Sequence, residues 1–545
     1  MSRRQSMSTR ERSARDPGGT ALSGFFVRAL FGAAVILAGV LSATSAVRAE
    51  TVSPDSWVYE ALRSFELRGL VRLEPTLPYT FDQCEAYTRE IIANVGKEHT
   101  ALGPRHAFLL ERLTKQFVGL RDRPEDRWSK PVHTVREDDR FFATDFQVGG
   151  VLERKPDREK GEMDGLFNPD FLLGLGHNVT METDYRVTLA PEWEANAGGV
   201  KASARVKSFR GLTAEFERAL LDAGGSWWDV HLGREYAHWG PNLREDLILS
   251  RTAGSLDQLG GRITLGRYAL SMIQATLYDG DPNQRYLAGH RLTVALPRGA
   301  FLGLSETALY AHRDLDYKYL LPLGIFYAEQ ANEGSNDDNI LWALDCKVPL
   351  HRGVMLYGQF LVDDFQYQRG SGAGPDRLGF YWAADALFMV WGREMEVSGG
   401  STFVNRFTYG HSGGTQYVAG DGGVRMNPLL GSPMGPDAAR DFIKATLGVS
   451  SRASLTLEGV RTIYGAGGVL AQGRLLDWIP GTDAGPDFSI WAPALYVKYA
   501  SVSLRYDLNH GSYVSAGAWV WYRDEDEINL HRKDNLGWLE LVLDL

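Results

Sequence analysis

From Pro131 onward, apolar and polar residues alternate with a period of two, and this recurs over most of the remaining chain. Phe142, Thr144, Phe146 and Val148 share one face. Tyr185, Val187 and Leu189 alternate with Arg186, Thr188 and Ala190. Val200, Ala202, Ala204 and Val206 alternate with Lys201, Ser203, Arg205 and Lys207. Ile340, Trp342, Leu344, Cys346 and Val348 alternate with Leu341, Ala343, Asp345 and Lys347. Such a period belongs to a strand with two unlike faces. Charged residues on one face of so many strands need water there, and the apolar face needs lipid or a core. A soluble β-sandwich would also give this alternation.

The connections separate the two cases. Those at Phe209–Gly211, Pro297–Gly299, Pro349–Gly353 and Trp391–Glu394 are short. Those around 152–168, 311–339, 364–377, 405–440, 464–489 and 523–535 are long and rich in Gly, Pro, Asp and Asn. Short turns at one end and long loops at the other are the pattern of a transmembrane barrel. The expected fold is therefore an all-β transmembrane barrel of about 18 antiparallel strands. Residues 260–278 and 490–508 each change phase once, and each reads as one long strand with a bulge. The final segment, with Leu539, Leu541 and Leu543 on one face, reads as the closing strand.

Before the barrel the period is helical. Residues 1–49 read as a signal peptide, with an arginine-rich start, an apolar run from Ala29 to Leu41 and a small-residue site at Val47-Arg48-Ala49. Residues 50–130 read as a small periplasmic helical domain, and 131–545 as the outer-membrane barrel. Ser56 precedes an apolar face of Val58, Leu62 and Phe65, with Gly69 as the stop. Thr80-Phe81-Asp82-Gln83 is a capping box opening a second helix. Pro104 sits where a third begins, with Leu109, Leu113, Phe117 and Leu120 along it.

The formal charge of −10 argues against a nucleic-acid partner. Cys84 and Cys346 are the only cysteines and are expected to be free thiols. The histidines are scattered without metal-site spacing, so neither a metal nor a cofactor is expected.

One long connection, Gly233 to Leu259, does not alternate. It contains Gly233-Arg234-Glu235-Tyr236-Ala237-His238-Trp239-Gly240-Pro241 and the apolar run Leu247-Ile248-Leu249. The wording of the Trp-Gly-Pro turn resembles the central motif of the capsule assembly Wzi family of outer-membrane barrels. Four further segments resemble that family in order along the chain. They are Phe326-Tyr327-Ala328-Glu329-Gln330; Asp337-Asp338-Asn339 leading into Leu344-Asp345; Leu356-Tyr357-Gly358-Gln359 leading into Asp363-Asp364-Phe365; and Asn427-Pro428-Leu429-Leu430-Gly431 leading into Gly435-Pro436-Asp437. The resemblance spans residue 50 to the end. It implies a barrel that helps assemble capsular or extracellular polysaccharide or hold it at the cell surface. The partners it implies are surface polysaccharide, outer-membrane lipid and polysaccharide-export machinery. A solute-conducting porin is the alternative reading of the same pattern.

Glycan recognition uses aromatic faces and planar hydrogen-bonding groups. The candidate ligand-binding residues are Tyr327, Glu329, Gln330, Asp337, Asp338, Asn339, Asp363 and Asp364. The same groups are equally suited to bonding one another and plugging the barrel. Gly233, Arg234, Trp239, Gly240 and Pro241 are assigned a structural role, as a lumen plug or a latch to the helices. By connection parity the stretch is expected at the short-turn end, beneath the barrel, with Trp239 buried. Ser250 and His238 are the available nucleophile and base, but no nucleophile elbow accompanies them and no enzymatic activity is expected. On strand register, Cys346 is expected on the lipid face with Trp342 and Leu344.

Overall fold

The structure, a computed structural model, describes residues 50–544 apart from 55, 99–101, 119–131, 138–139, 155–161, 176–178, 190–211, 242, 279–283, 322–323, 334–337, 365–373, 412–413, 421–427, 470–474, 478–488, 509–510 and 526–529. The expected signal peptide and the alternation over 200–207 lie outside these residues.

The helical signals act where the sequence places them. Helix α1 (Trp57–Leu67) is capped by Ser56, whose side chain accepts from the Val58 amide, and Gly69 follows it at φ 74°. In front of α2 (Phe81–Glu98), the Thr80 amide donates to the Gln83 side chain at 2.8 Å and the Gln83 amide donates to Thr80 Oγ1 at 3.2 Å. These reciprocal bonds satisfy two donors that the first helical turn leaves open. Helix α3 (Pro104–Phe117) begins on its proline. Val58, Leu62, Phe65, Cys84, Ile91, Leu113 and Phe117 form their shared core. A two-residue strand, β1 (Thr76–Leu77), lies in the link between α1 and α2.

The rest of the chain winds into a closed antiparallel barrel of eighteen strands. A short β2 (His133–Glu137) pairs with the start of β3 (Arg140–Arg154). Next come β4 (Glu162–Leu175), β5 (Val179–Leu189), β6 (Leu212–Gly225) and β7 (Trp228–Glu235). A two-residue strand β8 (His238–Trp239) stands apart from the wall. The wall resumes with β9 (Leu256–Leu265), β10 (Tyr268–Tyr278), β11 (Arg285–Ala295), β12 (Phe301–Ala311), β13 (Asn339–His351) and β14 (Val354–Asp364). It continues through β15 (Arg377–Val390), β16 (Arg393–Val404), β17 (Ala438–Gly448), β18 (Ala453–Tyr464), β19 (Leu495–Asp507) and β20 (Tyr513–Glu525) to β21 (Leu530–Asp544). The β21–β3 pairing, with Leu541 opposite Gly150, closes the ring. In an ordinary soluble fold the apolar face of each strand would be buried. Here Leu292, Leu302, Leu304, Leu344, Leu457, Leu539 and Leu541 are exposed, while Glu182, Arg218, Arg291, Asp345 and Lys347 are buried. Water-facing and lipid-facing sides are thus inverted relative to a soluble fold, as in a membrane-spanning barrel. Cys346 lies on the outward face with Leu344, opposite Gly358 of β14, as the register predicts.

Two strand readings change. Residues 260–278 are a hairpin, β9–β10, turning at Gly266 (φ 60°) and Arg267, and the phase change marks that turn. By contrast, β19 is one strand, as expected, but it begins at Leu495 and pairs with both neighbours in continuous register, without the expected bulge. Leu189 of β5 pairs with Leu212 of β6, so residues 190–211 form one connection between neighbouring strands. Taking residues 200–207 as a separate strand inverts the parity until the merged hairpin restores it. The β7–β9 connection therefore belongs with the long loops, correcting its assignment to the short-turn end.

That connection does not project outward. Strand β7 is only 8 residues long, so the chain leaves the wall part-way up and turns into the lumen. There β8 pairs with β1, Trp239 opposite Thr76 and His238 opposite Leu77. The Trp239 amide donates to the Leu249 carbonyl at 2.9 Å. Leu247, Ile248 and Leu249 are buried against inward-facing Leu287, Leu309, Leu341, Met355, Leu361 and Tyr381 of the wall. The inward fold and the burial of Trp239 are as expected; the apolar run finds cover inside the barrel.

Candidate functional site

Four groups of side chains fix the lumen plug (residues 236–255). Gln359 bridges its two arms: Nε2 donates to the Trp239 carbonyl at 3.0 Å, and Oε1 accepts from the Leu247 amide at 2.7 Å. The Trp239 ring lies against Gly289, where an added Cβ would sit 2.9 Å from it. A Cβ on Gly240 would collide with the buried Asp246, so the plug turn needs glycine there. His238 pairs with the same Asp246. Ser250 accepts from the Thr252 amide, and its hydroxyl meets the Thr252 hydroxyl at 2.8 Å. These contacts occupy His238 and Ser250 within the plug.

The long loop 405–437 closes over the plug. Tyr409 Oη donates to the Leu247 carbonyl at 2.7 Å and Tyr417 Oη to the Ile248 carbonyl at 2.8 Å. The Ser250 amide donates to the Leu430 carbonyl at 2.8 Å. Arg285, buried on the inner wall, donates to the carbonyls of Gln416 and Gly420. Asp437, at φ 54°, accepts from the amides of Gly467 (2.8 Å) and Trp491 (3.0 Å), tying in the next long loop. Burial raises the Asp437 carboxyl, and the two amides pull it back. Leu430, Met434 and Leu475 complete the apolar packing.

From the short-turn end, the helices form a lid held by ions. Lys347 donates to Glu66 at 2.6 Å and to the Leu73 carbonyl. Arg63 meets Asp385 at 3.0 Å, and Arg105 meets Asp507 at 2.6 Å. His106 bonds Glu394 and sits 2.5 Å from the Ser64 hydroxyl. Lid and plug then share partners. Arg291, paired with Asp345 (2.5 and 2.9 Å), donates from Nε to Thr76 at 3.0 Å. Arg218 binds Glu182, Asp184 and Glu235 and donates to the Thr51 carbonyl at 2.9 Å. A small cleft remains where lid meets plug, lined by Tyr59, Arg63, Leu77, His238, Leu243 and Lys347.

The sequence-selected site residues occupy three places. Asn339 and Asp363 both hold loop 405–437: Asn339 donates to the Thr415 carbonyl at 3.0 Å, and Asp363 accepts from the Tyr409 amide at 2.6 Å. Asp364 is half-buried at the end of β14. Asp338 is buried against Arg313, both nitrogens at 2.7 Å, and the Tyr319 hydroxyl at 2.6 Å. Tyr327, Glu329 and Gln330 lie on helix α4 (Phe326–Glu333). Tyr327 is exposed, and Glu329 pairs with Lys318 at 2.9 Å. Asp337 and the Gln330 side chain lie outside the described residues. Within the opening motif, Gly233 has φ 135° in β7. Arg234 points outward, donating two hydrogen bonds to Asp257 at 2.8 Å on the exterior, whereas Glu235 accepts from the Thr51 hydroxyl of the N-terminal segment, so Glu235 and not Arg234 is the latch.

Sequence reasoning missed one arrangement. The loop carrying α4 folds over the outside of the wall. Gln274, His290, Glu306 and Tyr310 share the outward parity of Leu292, Leu302 and Leu304, yet Gln274, Glu306 and Tyr310 are buried. Tyr319 and Phe326 cover them, with Phe326 4.4 Å from the His290 ring and Tyr319 5.1 Å from Tyr310. The Phe326 and Tyr327 amides donate to Glu306 at 2.9 and 3.0 Å, capping α4. The available signal was three polar residues on the lipid phase of neighbouring strands.

Among the described residues no group of three or more His, Cys, Asp and Glu side chains is arranged to hold a metal ion. No family model matches the chain, and no curated protein matches it. Solved structures do. OccD3 of Pseudomonas aeruginosa is 10% identical over 77% of this chain and 94% of its own, with a TM-score of 0.43. OprD of Pseudomonas aeruginosa is 10% identical over 77% of this chain and 98% of its own, with a TM-score of 0.41. Wzi of Escherichia coli, described as an outer-membrane protein involved in group 1 capsule assembly and a carbohydrate-binding β-barrel, is 13% identical. It aligns over 91% of this chain and 100% of its own, with a TM-score of 0.57. This chain has the fold of the Wzi barrel.

Proposed function

We propose that this protein is an outer-membrane barrel that assists assembly or cell-surface attachment of capsular or extracellular polysaccharide, holding glycan at its long-loop end. The short turns and the helical lid then face the periplasm, and the long loops face outward, as barrel architecture favours. The observation that carries this reading is the filled lumen. Plug, loop 405–437 and lid are packed and hydrogen-bonded through the inside of the wall, which suits a binding scaffold better than a conduit. The shared fold with a carbohydrate-binding barrel agrees with it.

The surface proposed to hold glycan is built from Tyr327, Glu329, Gln330, Asp337, Asp338, Asn339, Asp363 and Asp364. Tyr327 supplies an exposed ring for a sugar face, and Asp364 a carboxylate for hydroxyls. Asp338, Asn339 and Asp363 shape the surface by holding its loops. The test is binding of purified protein to polysaccharide isolated from the same cells. Tyr327→Ala with Asp364→Ala is expected to weaken binding by roughly tenfold or more, the scale of lost stacking and charged hydrogen bonds. Unchanged binding in a folded variant would count against these residues, and no binding by the wild type would count against the function.

A further inference from the structure

Four successive strands carry one row of polar side chains on the outward face of the wall. Arg461 of β18 stands opposite Lys498 of β19, Lys498 opposite Tyr522 of β20, and Tyr522 opposite Lys533 of β21. All four are exposed. They share the outward phase of Leu457, Val502, Leu504, Leu539 and Leu541, the exposed apolar wall beneath them. Each stands three residues from the long-loop end of its strand. The exposed Tyr506 marks the other edge of that wall, eight residues below Lys498 on β19. At ~3.3 Å per residue on strands tilted by ~40°, that is about 20 Å along the barrel axis, near the ~25 Å height of an apolar band. Tyr522 and Tyr506 are then the aromatic girdles, and the row lies at headgroup level.

Inside the barrel, Arg218, Arg291 and Arg440 are matched by carboxylates, and outside it Arg234 is matched by Asp257. Arg461 and Lys498 are not: among the described residues neither makes a hydrogen bond or an ion pair. Asp441 of β17 stands opposite Arg461 on its other side, and no ion pair joins the two. Lys533 lies over the Tyr522 ring, 5.4 Å from its centre, so the ring positions the ammonium at the row. One row nearer the loops, Asp524 and His531 pair with each other at 3.0 Å. The row thus holds three cations and one carboxylate. Directly opposed side chains on antiparallel strands have Cβ atoms ~5 Å apart, and like charges there destabilise the sheet. Arg461 facing Lys498 at a lipid boundary is therefore favourable only with an anion between them.

We propose that this row binds the headgroup of a bisphosphorylated glycolipid in the leaflet at the long-loop end. Arg461 and Lys498 converge on one phosphate. Lys533, two strand spacings or about 10 Å from Lys498, reaches the second. The acyl chains run down over Leu457, Val502, Leu504 and Leu539. A cation pair with a third cation set apart matches two phosphates at opposite ends of one sugar headgroup, whereas a glycerophospholipid brings a single phosphate diester. Continuity with the lipid-facing wall selects a lipid over a soluble polyanion. The proposal rests on the barrel spanning an outer membrane with its long loops outward, and is independent of what those loops bind.

The test uses the full chain in nanodiscs of phosphatidylcholine doped with equal amounts of bisphosphorylated lipid A and phosphatidylglycerol. Lipid retained on the protein after detergent extraction is released and compared with the bulk. The wild type is expected to enrich lipid A over phosphatidylglycerol roughly tenfold or more, the order that several cations give at a charged leaflet. Lipid A stripped of one phosphate should be retained severalfold less. Replacing Arg461, Lys498 and Lys533 together by Gln should abolish the enrichment, and Arg461→Lys with Lys498→Arg should preserve it. Arg267→Gln with Arg298→Gln, on the short turns, should leave it intact. Heat-modifiable gel migration shows that each variant remains a folded barrel. No enrichment by the wild type, equal retention of phosphatidylglycerol or of the one-phosphate form, or the same enrichment in the three-Gln protein overturns the proposal. So does loss of binding to a soluble acidic polysaccharide in the three-Gln protein with lipid enrichment unaltered, which would make the row a glycan site.

Discussion

Thr76 and Trp239 face each other across a two-stranded antiparallel sheet that joins the helical lid to the lumen plug. The Thr76 hydroxyl accepts from Arg291 of the barrel wall, and the Trp239 ring rests on Gly289 of the same strand. Lid, plug and wall therefore meet on β11, and loosening one is expected to loosen the others.

Trp239→Ala should cost roughly 3–5 kcal/mol, the range for emptying a buried aromatic site. Because β8 also carries the lid, protease should then cut the 50–117 segment faster in spheroplasts. Gly289→Val should act in the same direction by pushing the ring off its seat. Equal cleavage rates in wild type and variants would show that the lid does not depend on the plug.

Lys347 and Glu66 are both buried, and each would leave an uncompensated charge if its partner were lost. Lys347→Met alone should destabilise the lid by roughly 3–5 kcal/mol, whereas Lys347→Met with Glu66→Gln should recover part of that loss. Denaturant titration with lid proteolysis as readout measures both. Equal destabilisation in the single and double variants would mean that the ion pair is not what the lid uses.

The two cysteines should differ in what uncovers them. Burial pushes the Cys84 thiol up, and its side chain lies in the lid core. Cys346 lies on the lipid face. A membrane-impermeant maleimide should label neither in intact membranes. A lipid-soluble maleimide should label Cys346, and mild denaturation of the lid should expose Cys84 to the aqueous reagent. Rapid aqueous labelling of Cys346 would mean that β13 is slipped by one residue.

Much of this was legible from the chain. Ser56, the Thr80–Gln83 box and Pro104 announce helix starts through local hydrogen bonding, which needs no tertiary context. The faces of β13 follow from alternation alone, because a strand between lipid and a charged lumen has a strongly specified register. Failures came where local pattern cannot see topology. The tight Gly266-Arg267 turn shows in the sequence only as one change of phase, which a bulge would also give. The placement of 236–255 depends on the parity of wall strands, and counting residues 200–207 as one inverts it, whereas β5 pairs directly with β6. The outer cover over Gln274 and Glu306 is non-local: nothing within residues 312–338 states which face of the wall it meets. Asn339 and Asp363 were recognisable as polar rim residues, but their bonds to loop 405–437 join positions far apart in sequence.

A filled lumen predicts electrical silence. Wild-type protein in planar bilayers should show no large steady current. Tyr409→Ala with Tyr417→Ala removes the two hydroxyls that hold the plug from above and should produce intermittent openings. A steady wild-type current would favour the porin reading.

The closed barrel is expected to keep polysaccharide on the cell. The direct measurement is the ratio of cell-bound to released polysaccharide after deletion of the gene and after its restoration. Deletion is expected to shift the ratio toward released polymer at unchanged total synthesis, and the wild-type gene to reverse the shift. An unchanged ratio in a strain that makes the polymer would contradict it.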